Sequence, residues 1–155
     1  MRGFTHVLVG MFAGSLYFDY FGQGGLLLKF GFAGMLLLGA LLPDIDEKES
    51  SISNKFPGLS KIATSISKHR GIFHSIWPLV ILAIIVYVIH NQIADFLLIG
   101  LTVGYASHLV GDSITKQGIM PFHPLHKAKL KGFIKTGGLA ELIIAGLIVV
   151  WLLVH

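Results

Sequence analysis

The sequence predicts an all-α integral membrane protein, a compact bundle of about five transmembrane helices with two cytoplasmic loops. Three observations carry that reading. Of the 155 residues, 54% are hydrophobic and only 13% charged, where an ordinary soluble domain has roughly 25% charged residues; the mean hydropathy is +0.76. Five apolar stretches each approach the ~20 residues that a helix needs to cross the hydrocarbon core. Eleven of the twelve Lys and Arg residues fall on one side of the topology that those stretches imply. Five spans and their loops use the whole length, so one membrane-embedded domain over residues 1–155 is expected.

Taken in order, the spans are Phe4–Tyr20, Leu26–Leu42, Ile72–Ile89, Ala94–Val110 and Gly138–Val154. The first begins almost at the amino terminus and lacks a small-residue cleavage pattern, so it reads as a retained helix and not a removed signal peptide. A very short Gly-rich turn, Phe21–Gly25, separates it from the second, where Lys29 is tolerated because its stem lets the ammonium snorkel to the near interface. Helices are required because a lipid-exposed open sheet leaves backbone groups unpaired, and the alternating segments of ~10 residues that build a barrel are absent. The polar stretch Asp46–Lys68 reads as a loop or a short surface helix.

An odd number of spans puts the amino terminus and the loops Pro43–Gly71 and Gly111–Gly137 on one side. Arg2, Lys48, Lys55, Lys61, Lys68, Arg70, Lys116, Lys127, Lys129, Lys131 and Lys135 lie there, against Lys29 alone near the other side. That asymmetry assigns the two long loops to the cytoplasm. It also accounts for the net charge of +4 and the pI near 9.4, which therefore give no reason to expect nucleic-acid binding. Cysteine is absent, so disulfides and thiolate metal sites are excluded and any metal must be held by nitrogen and oxygen.

Overlaying the polar residues on this topology brings a set of ligand types to one membrane level. His6 enters the first span, Asp44 and Asp46 leave the second, His69 and His74 enter the third, His108 and Asp112 end the fourth, and Glu141 begins the fifth. Ionisable groups at a bilayer boundary are costly, and a set that converges from separate helices marks a functional site. His108 and Asp112, four apart, share a helix face with Cβ atoms about 5–6 Å apart, and can chelate one cation. Asp44 and Asp46 follow Leu42-Pro43, a helix-breaking pair; they could bridge two ions, or one could ligate while the other orients a histidine. Arg70 offers a planar fork for phosphate or carboxylate, and Ser75 adds a hydroxyl.

Plainer readings exist for each residue alone: a helix-end histidine, solvated loop carboxylates, a helix-stabilising His–Asp pair, a Glu141 paired with a loop lysine. These are independent of one another, whereas a metal site requires all of them at one depth. The donor mixture suits zinc, manganese or iron over calcium. His123 and His126 sit in a proline-rich turn on the same side and are left undecided; His90, His155, Asp19 and Asp95 lie at the opposite face. There is no His-Glu-x-x-His, Gly-x-Ser-x-Gly or phosphate-loop motif, which excludes the usual zincin, serine hydrolase and nucleotide hydrolase classes. Gly31, Gly34, Gly39, Gly100 and Gly104 read as helix-packing positions.

Four motifs in fixed order, Thr5-His6, Leu42-Pro-Asp-Ile-Asp46, His69-Arg-Gly-Ile-Phe-His-Ser75 and Gly104-Tyr-Ala-Ser-His-Leu-Val-Gly-Asp112 followed by Thr115 and Gly118, resemble those of the YdjM-like membrane-bound metal-dependent hydrolases. The resemblance spans nearly the whole chain. It implies an inner-membrane, metal-dependent hydrolase in which His6, Asp44, Asp46, His69, His74, His108 and Asp112 are the motif ligands; that activity is itself inferred from a likeness to zinc-dependent phospholipases C.

The expectation is therefore a hydrolase that holds one or two divalent ions, zinc or manganese, and cleaves a phosphoester in a phospholipid or lipid-linked phosphate at the cytoplasmic leaflet through metal-activated water. Asp44 or Asp46 would act as base, with Arg70 and Ser75 supporting developing charge. The rival is a metal transporter or sensor using the same cluster, which would need polar groups at the midplane.

Overall fold

In the computed structural model, residues 1–21, 25–47, 55, 58, 60, 61, 71–89 and 91–155 are described. They form five α-helices: α1 Gly3–Phe21, α2 Leu26–Leu41, α3 Trp77–Ile89, α4 Gln92–Ser113 and α5 Leu139–Val154. Two 3₁₀ turns, Leu42–Asp46 and Ile72–His74, follow α2 and precede α3 respectively. The chain is all-helical as expected; among the described residues, β-pairing is limited to two isolated bridges in the last loop, Thr115 with Ile134 and Ile119 with Leu130.

The helices alternate in direction. Gly10 of α1 faces Ala40 of α2, and Gly14 faces Leu36, so these two run antiparallel. Phe32 meets Gly100, and Leu36 meets Gly104, so α2 and α4 run parallel. At α5, the first turn lies beside Arg2 and Trp151 stands edge-on to Phe12, parallel to α1. The starts of α1, α3 and α5 and the ends of α2 and α4 thus share one end of the bundle.

The closest pairing, α2 with α4, depends on glycine. A Cβ on Gly39 would overlap the Leu101 carbonyl oxygen, one on Gly104 would overlap that of Leu36, and one on Gly100 would lie 2.8 Å from that of Phe32. Small residues at such contacts let helix backbones approach where lipid supplies no hydrophobic drive between them. Gly34, expected to pack in the same way, has open space where its Cβ would be.

The surface is apolar. Leu27, Tyr87 and Leu153 are more than 80% exposed, while His6, His74, His108 and Asp112 are 0% exposed. This polar-inside, apolar-outside arrangement reverses that of a soluble protein and matches burial in hydrocarbon. By length and hydropathy, Leu26–Asp46 and Gln92–Ser113 suffice to cross a bilayer, whereas Trp77–Ile89 and Leu139–Val154 are shorter apolar helices. Lys29 extends over the Phe18 ring, its Nζ 5.9 Å from the centroid.

Helix ends differ from expectation where prolines and side-chain caps intervene. The third helix begins at Trp77 and not Ile72, because Ser75 turns inward to donate to the Ile72 carbonyl (2.6 Å) and accept from Trp77 N (3.4 Å), and Pro78 follows in the first helical turn. Asn91 caps α4 by accepting from Ile93 N and Ala94 N, and the helix runs on through Asp112. Beyond it, Thr115 Oγ donates to the Asp112 carbonyl and accepts from Gly118 N. Gly118 has φ +65°, a conformation that glycine adopts without Cβ strain, and its missing side chain leaves room for the Leu130 carbonyl.

Gly104→Val is expected to destabilise the folded protein by ~2–4 kcal/mol, as overpacking against backbone that cannot move aside. Gly34→Ala, with open space around it, should be neutral or stabilising by up to ~1 kcal/mol. Thermal unfolding of the two variants in detergent checks both.

Candidate metal centre

The site is assembled from four helix ends and two turns. After α2, Pro43 opens a 3₁₀ turn in which both Asp44 and Asp46 are buried. Pro43 has no N–H to continue the helix. The Ala40 carbonyl at the end of α2 is 2.7 Å from His108 Nδ1. A carbonyl only accepts, so Nδ1 carries the proton and Nε2 presents a lone pair.

That lone pair faces acceptors. His108 Nε2 lies 3.5 Å from Asp44 Oδ1 and 4.0 Å from Asp112 Oδ2. His74 Nε2 lies 3.6 Å from the same Asp44 oxygen and 3.7 Å from the same Asp112 oxygen. His6 stacks on His108, ring centroids 3.6 Å apart, and its Nε2 is 3.2 Å from Asp112 Oδ1. Asp112 Oδ1 also receives the amino group of Met1.

The spacing discriminates between hydrogen bonding and coordination. Separations of 3.5–4.0 Å exceed those of hydrogen bonds, and His108 Nε2 and both nitrogens of His74 make none among the described residues. Two ligands at about 2.0–2.1 Å from one tetrahedral ion stand ~3.3 Å apart. Lone pairs and carboxylates gathered in a region screened from water repel unless positive charge lies among them. Two groups meet the geometric requirement, His6 with Asp44 and His108, and His74 with His108 and Asp112, each with its ligand atoms within 4.8 Å of one another. These buried residues could hold a divalent metal ion, and His108 is common to both groups.

The two carboxylates of the Pro43 turn divide their partners. Asp44 points at the Nε2 side of His74, while Asp46 lies 3.8 Å from its Nδ1. At that distance Asp46 is an ionic neighbour of the His74 ring and not a hydrogen-bonded one. Tyr105, one turn before His108, fixes the neighbouring turn by donating its hydroxyl to the Phe73 carbonyl.

This arrangement can be set beside known proteins. The family model described as YdjM inner membrane protein matches residues 1–154. The chain belongs to the YdjM inner membrane protein family. YvsG of Bacillus subtilis (strain 168) is 35% identical over 150 residues, covering 95% of this chain and 89% of YvsG. Inner membrane protein YdjM of Escherichia coli (strain K12) is 31% identical over 86 residues, 54% of this chain and 44% of that protein; YdjM of Shigella flexneri gives the same figures. No solved structure matches.

Six of the residues singled out from the YdjM-like motifs therefore come together: His6, Asp44, Asp46, His74, His108 and Asp112. His69 and Arg70 lie outside the described residues. Ser75 caps α3. Glu141 is buried but joins neither group; its carboxylate accepts from Arg2 N at 2.7 Å and Gly137 N at 2.6 Å, tying the start of α1 to the start of α5. His126 is exposed and accepts from Ala128 N, and His155 stacks on Trp151 at the far end. Sequence reasoning missed the Ala40 carbonyl and Tyr105. The latter had a signal, since it precedes His108 by three and so shares its helix face.

Metal analysis of purified variants tests the assignment. His108→Ala removes a ligand from both groups and should lower bound divalent metal severalfold. His155→Ala should leave it at the native level, as should Glu141→Gln, which keeps one of the two acceptor oxygens and touches neither group.

Proposed function

We propose that this chain is a membrane-bound, metal-dependent phosphoester hydrolase, acting on a phospholipid or lipid-linked phosphate at the cytoplasmic leaflet. The observation that carries the reading is the set of mutually facing acceptors, the Nε2 atoms of His74 and His108 with Oδ1 of Asp44 and Oδ2 of Asp112, buried at one end of an apolar bundle. Its donor set of imidazoles and carboxylates suits zinc or manganese, as one ion or two. Such an ion supplies Lewis acidity toward water and toward a phosphoryl oxygen. The chain's own residues supply the rest. The Ala40 carbonyl holds His108 with Nε2 turned toward the carboxylates, and Asp44, which lies near the Nε2 atoms of both His74 and His108, would be the carboxylate to accept a proton from water. Arg70, between the motif histidines, would meet phosphate oxygens with its fork.

A site at membrane depth favours a lipid substrate, because a soluble phosphoester would have to enter hydrocarbon. The eleven basic residues at the site end of the sequence order orient that end to the cytoplasm. The competing reading, a metal transporter or sensor, requires ionisable groups along the path; α3 has no Asp, Glu, Lys, Arg or His, and α5 has none between Glu141 and its end.

Two experiments follow. Purified protein with manganese or zinc should release phosphate or a phosphorylated head group from a lipid or aryl phosphate, with loss on chelation. Asp44→Asn should lower the rate by a factor on the order of 100 or more while metal remains measurable. Metal flux into proteoliposomes by a variant without hydrolysis would support transport instead. For topology, cysteines placed at Lys61 and Lys129 should react only from the cytoplasmic side and one at His155 only from the other; labelling of Lys61 and Lys129 from opposite sides would refute the orientation.

A further inference from the structure

The loop that joins α4 to α5, residues 114–138, is tied to itself and to the bundle by backbone hydrogen bonds. Lys116 N donates to the Ile134 carbonyl at 2.8 Å and Gly132 N to that of Thr115 at 2.9 Å, while Ile119 and Leu130 exchange two bonds of 2.8 Å. Ile76 N, just ahead of α3, donates to the Pro121 carbonyl at 3.0 Å. Thr115, Ile119 and Ile134 are buried. Gly132 permits the close approach of the two arms, since a Cβ there would overlap the Ile114 carbonyl oxygen. The loop is therefore a built platform at the end of the bundle that holds the metal centre, and its fold decides which side chains it leaves outside.

Those side chains are of two kinds. Phe122, Leu125, Leu130 and Phe133 are exposed, Leu125 by 79% and Phe133 by 82%. Lys116, Lys127, Lys129, Lys131 and Lys135 are exposed as well, and the chain has no Asp or Glu between Asp112 and Glu141 to offset them.

We propose that this loop is a docking surface for anionic phospholipid, its lysines holding phosphate head groups while Phe122, Leu125 and Phe133 enter the boundary between head groups and acyl chains. Charge selects the partner first: five cations without an acid complement an anion-rich surface, and each lysine brought to an anionic leaflet strengthens binding. The apolar residues select it again. Lysines interleaved with exposed Phe and Leu are the composition of segments that lie in the bilayer interface, where each lysine stem rests on hydrocarbon and its ammonium reaches the head groups. An acidic polypeptide in water would match the lysines and leave Leu125 and Phe133 uncovered. Position agrees, because the loop leaves α4 at Ser113 and enters α5 at Leu139, so both of its ends are fixed where apolar helices of the bundle stop. The inference is independent of the hydrolase reading and holds whether or not the metal centre cleaves a phosphoester.

The test uses the full chain in phosphatidylcholine bilayers, with spin-labelled phosphatidylglycerol or spin-labelled phosphatidylcholine as the probe. The fraction of probe immobilised by the protein should show a severalfold preference for phosphatidylglycerol that falls as salt screens the lysines. Lys129→Gln with Lys131→Gln should remove most of this preference, whereas Lys55→Gln with Lys61→Gln, the same change of net charge elsewhere in the chain, should leave most of it. A second measurement needs no lysine variant. The chain has no cysteine, so nitroxides on single cysteines at Leu125 and Phe133 report depth without background, and in bilayers containing phosphatidylglycerol both should be more accessible to oxygen than to a water-soluble nickel chelate. Equal loss of preference in the two double variants would assign the effect to overall charge and overturn the proposal. Nitroxides at both positions that favour the nickel chelate would overturn it too, and would point to an acidic polypeptide in water as the partner.

Discussion

The hydrogen bond from His108 Nδ1 to the Ala40 carbonyl is the interaction on which the centre depends. A carbonyl only accepts, so the bond places the proton on Nδ1 and leaves the Nε2 lone pair of His108 no choice of direction. With Nε2 turned toward Asp44 and Asp112, the cluster becomes a set of acceptors in a medium too apolar to solvate them. A proton or a metal cation is then the natural complement. A carbonyl at the end of α2 thus decides the protonation pattern of a histidine in α4, sixty-eight residues away.

The packing of α2 on α4 makes that bond possible. Gly39 and Gly104 bring the two backbones together where any side chain would collide with a carbonyl, so Ala40 and His108 lie in register. Around this pair the other contributions are tethers. Tyr105 holds the turn that carries His74, and Glu141 holds the start of α1 against α5 through backbone amides. Removing the charge of Glu141 would loosen a joint and leave the donor set of the centre intact.

The helical architecture and the convergence of the motif residues were legible in the sequence because they depend on period and composition, which are local. The spacing of His108 and Asp112 is a helical repeat, and the apolar stretches report the helices. The division of labour between Asp44 and Asp46 was not legible, since it arises in a 3₁₀ turn where side-chain direction follows no repeat long enough to read. Nor was the difference between Gly34 and Gly39, which look alike in sequence but face open space and a backbone respectively. Glu141 was grouped with the ligands by depth alone; depth does not reveal that two amides already occupy its oxygens. The expected start of the third helix at Ile72 followed hydropathy, which continues through a turn that Ser75 caps before α3 begins at Trp77.

The chain order of the ligands bears on how the protein is made. His6 emerges with the first helix, Asp44 and Asp46 with the second, and His74 ahead of the third, yet both candidate metal groups require His108. Until α4 has entered the membrane, neither of these two groups is complete. During synthesis the earlier members would therefore wait without His108, and any loading with metal would be a late event of biogenesis that reports arrival of the fourth helix.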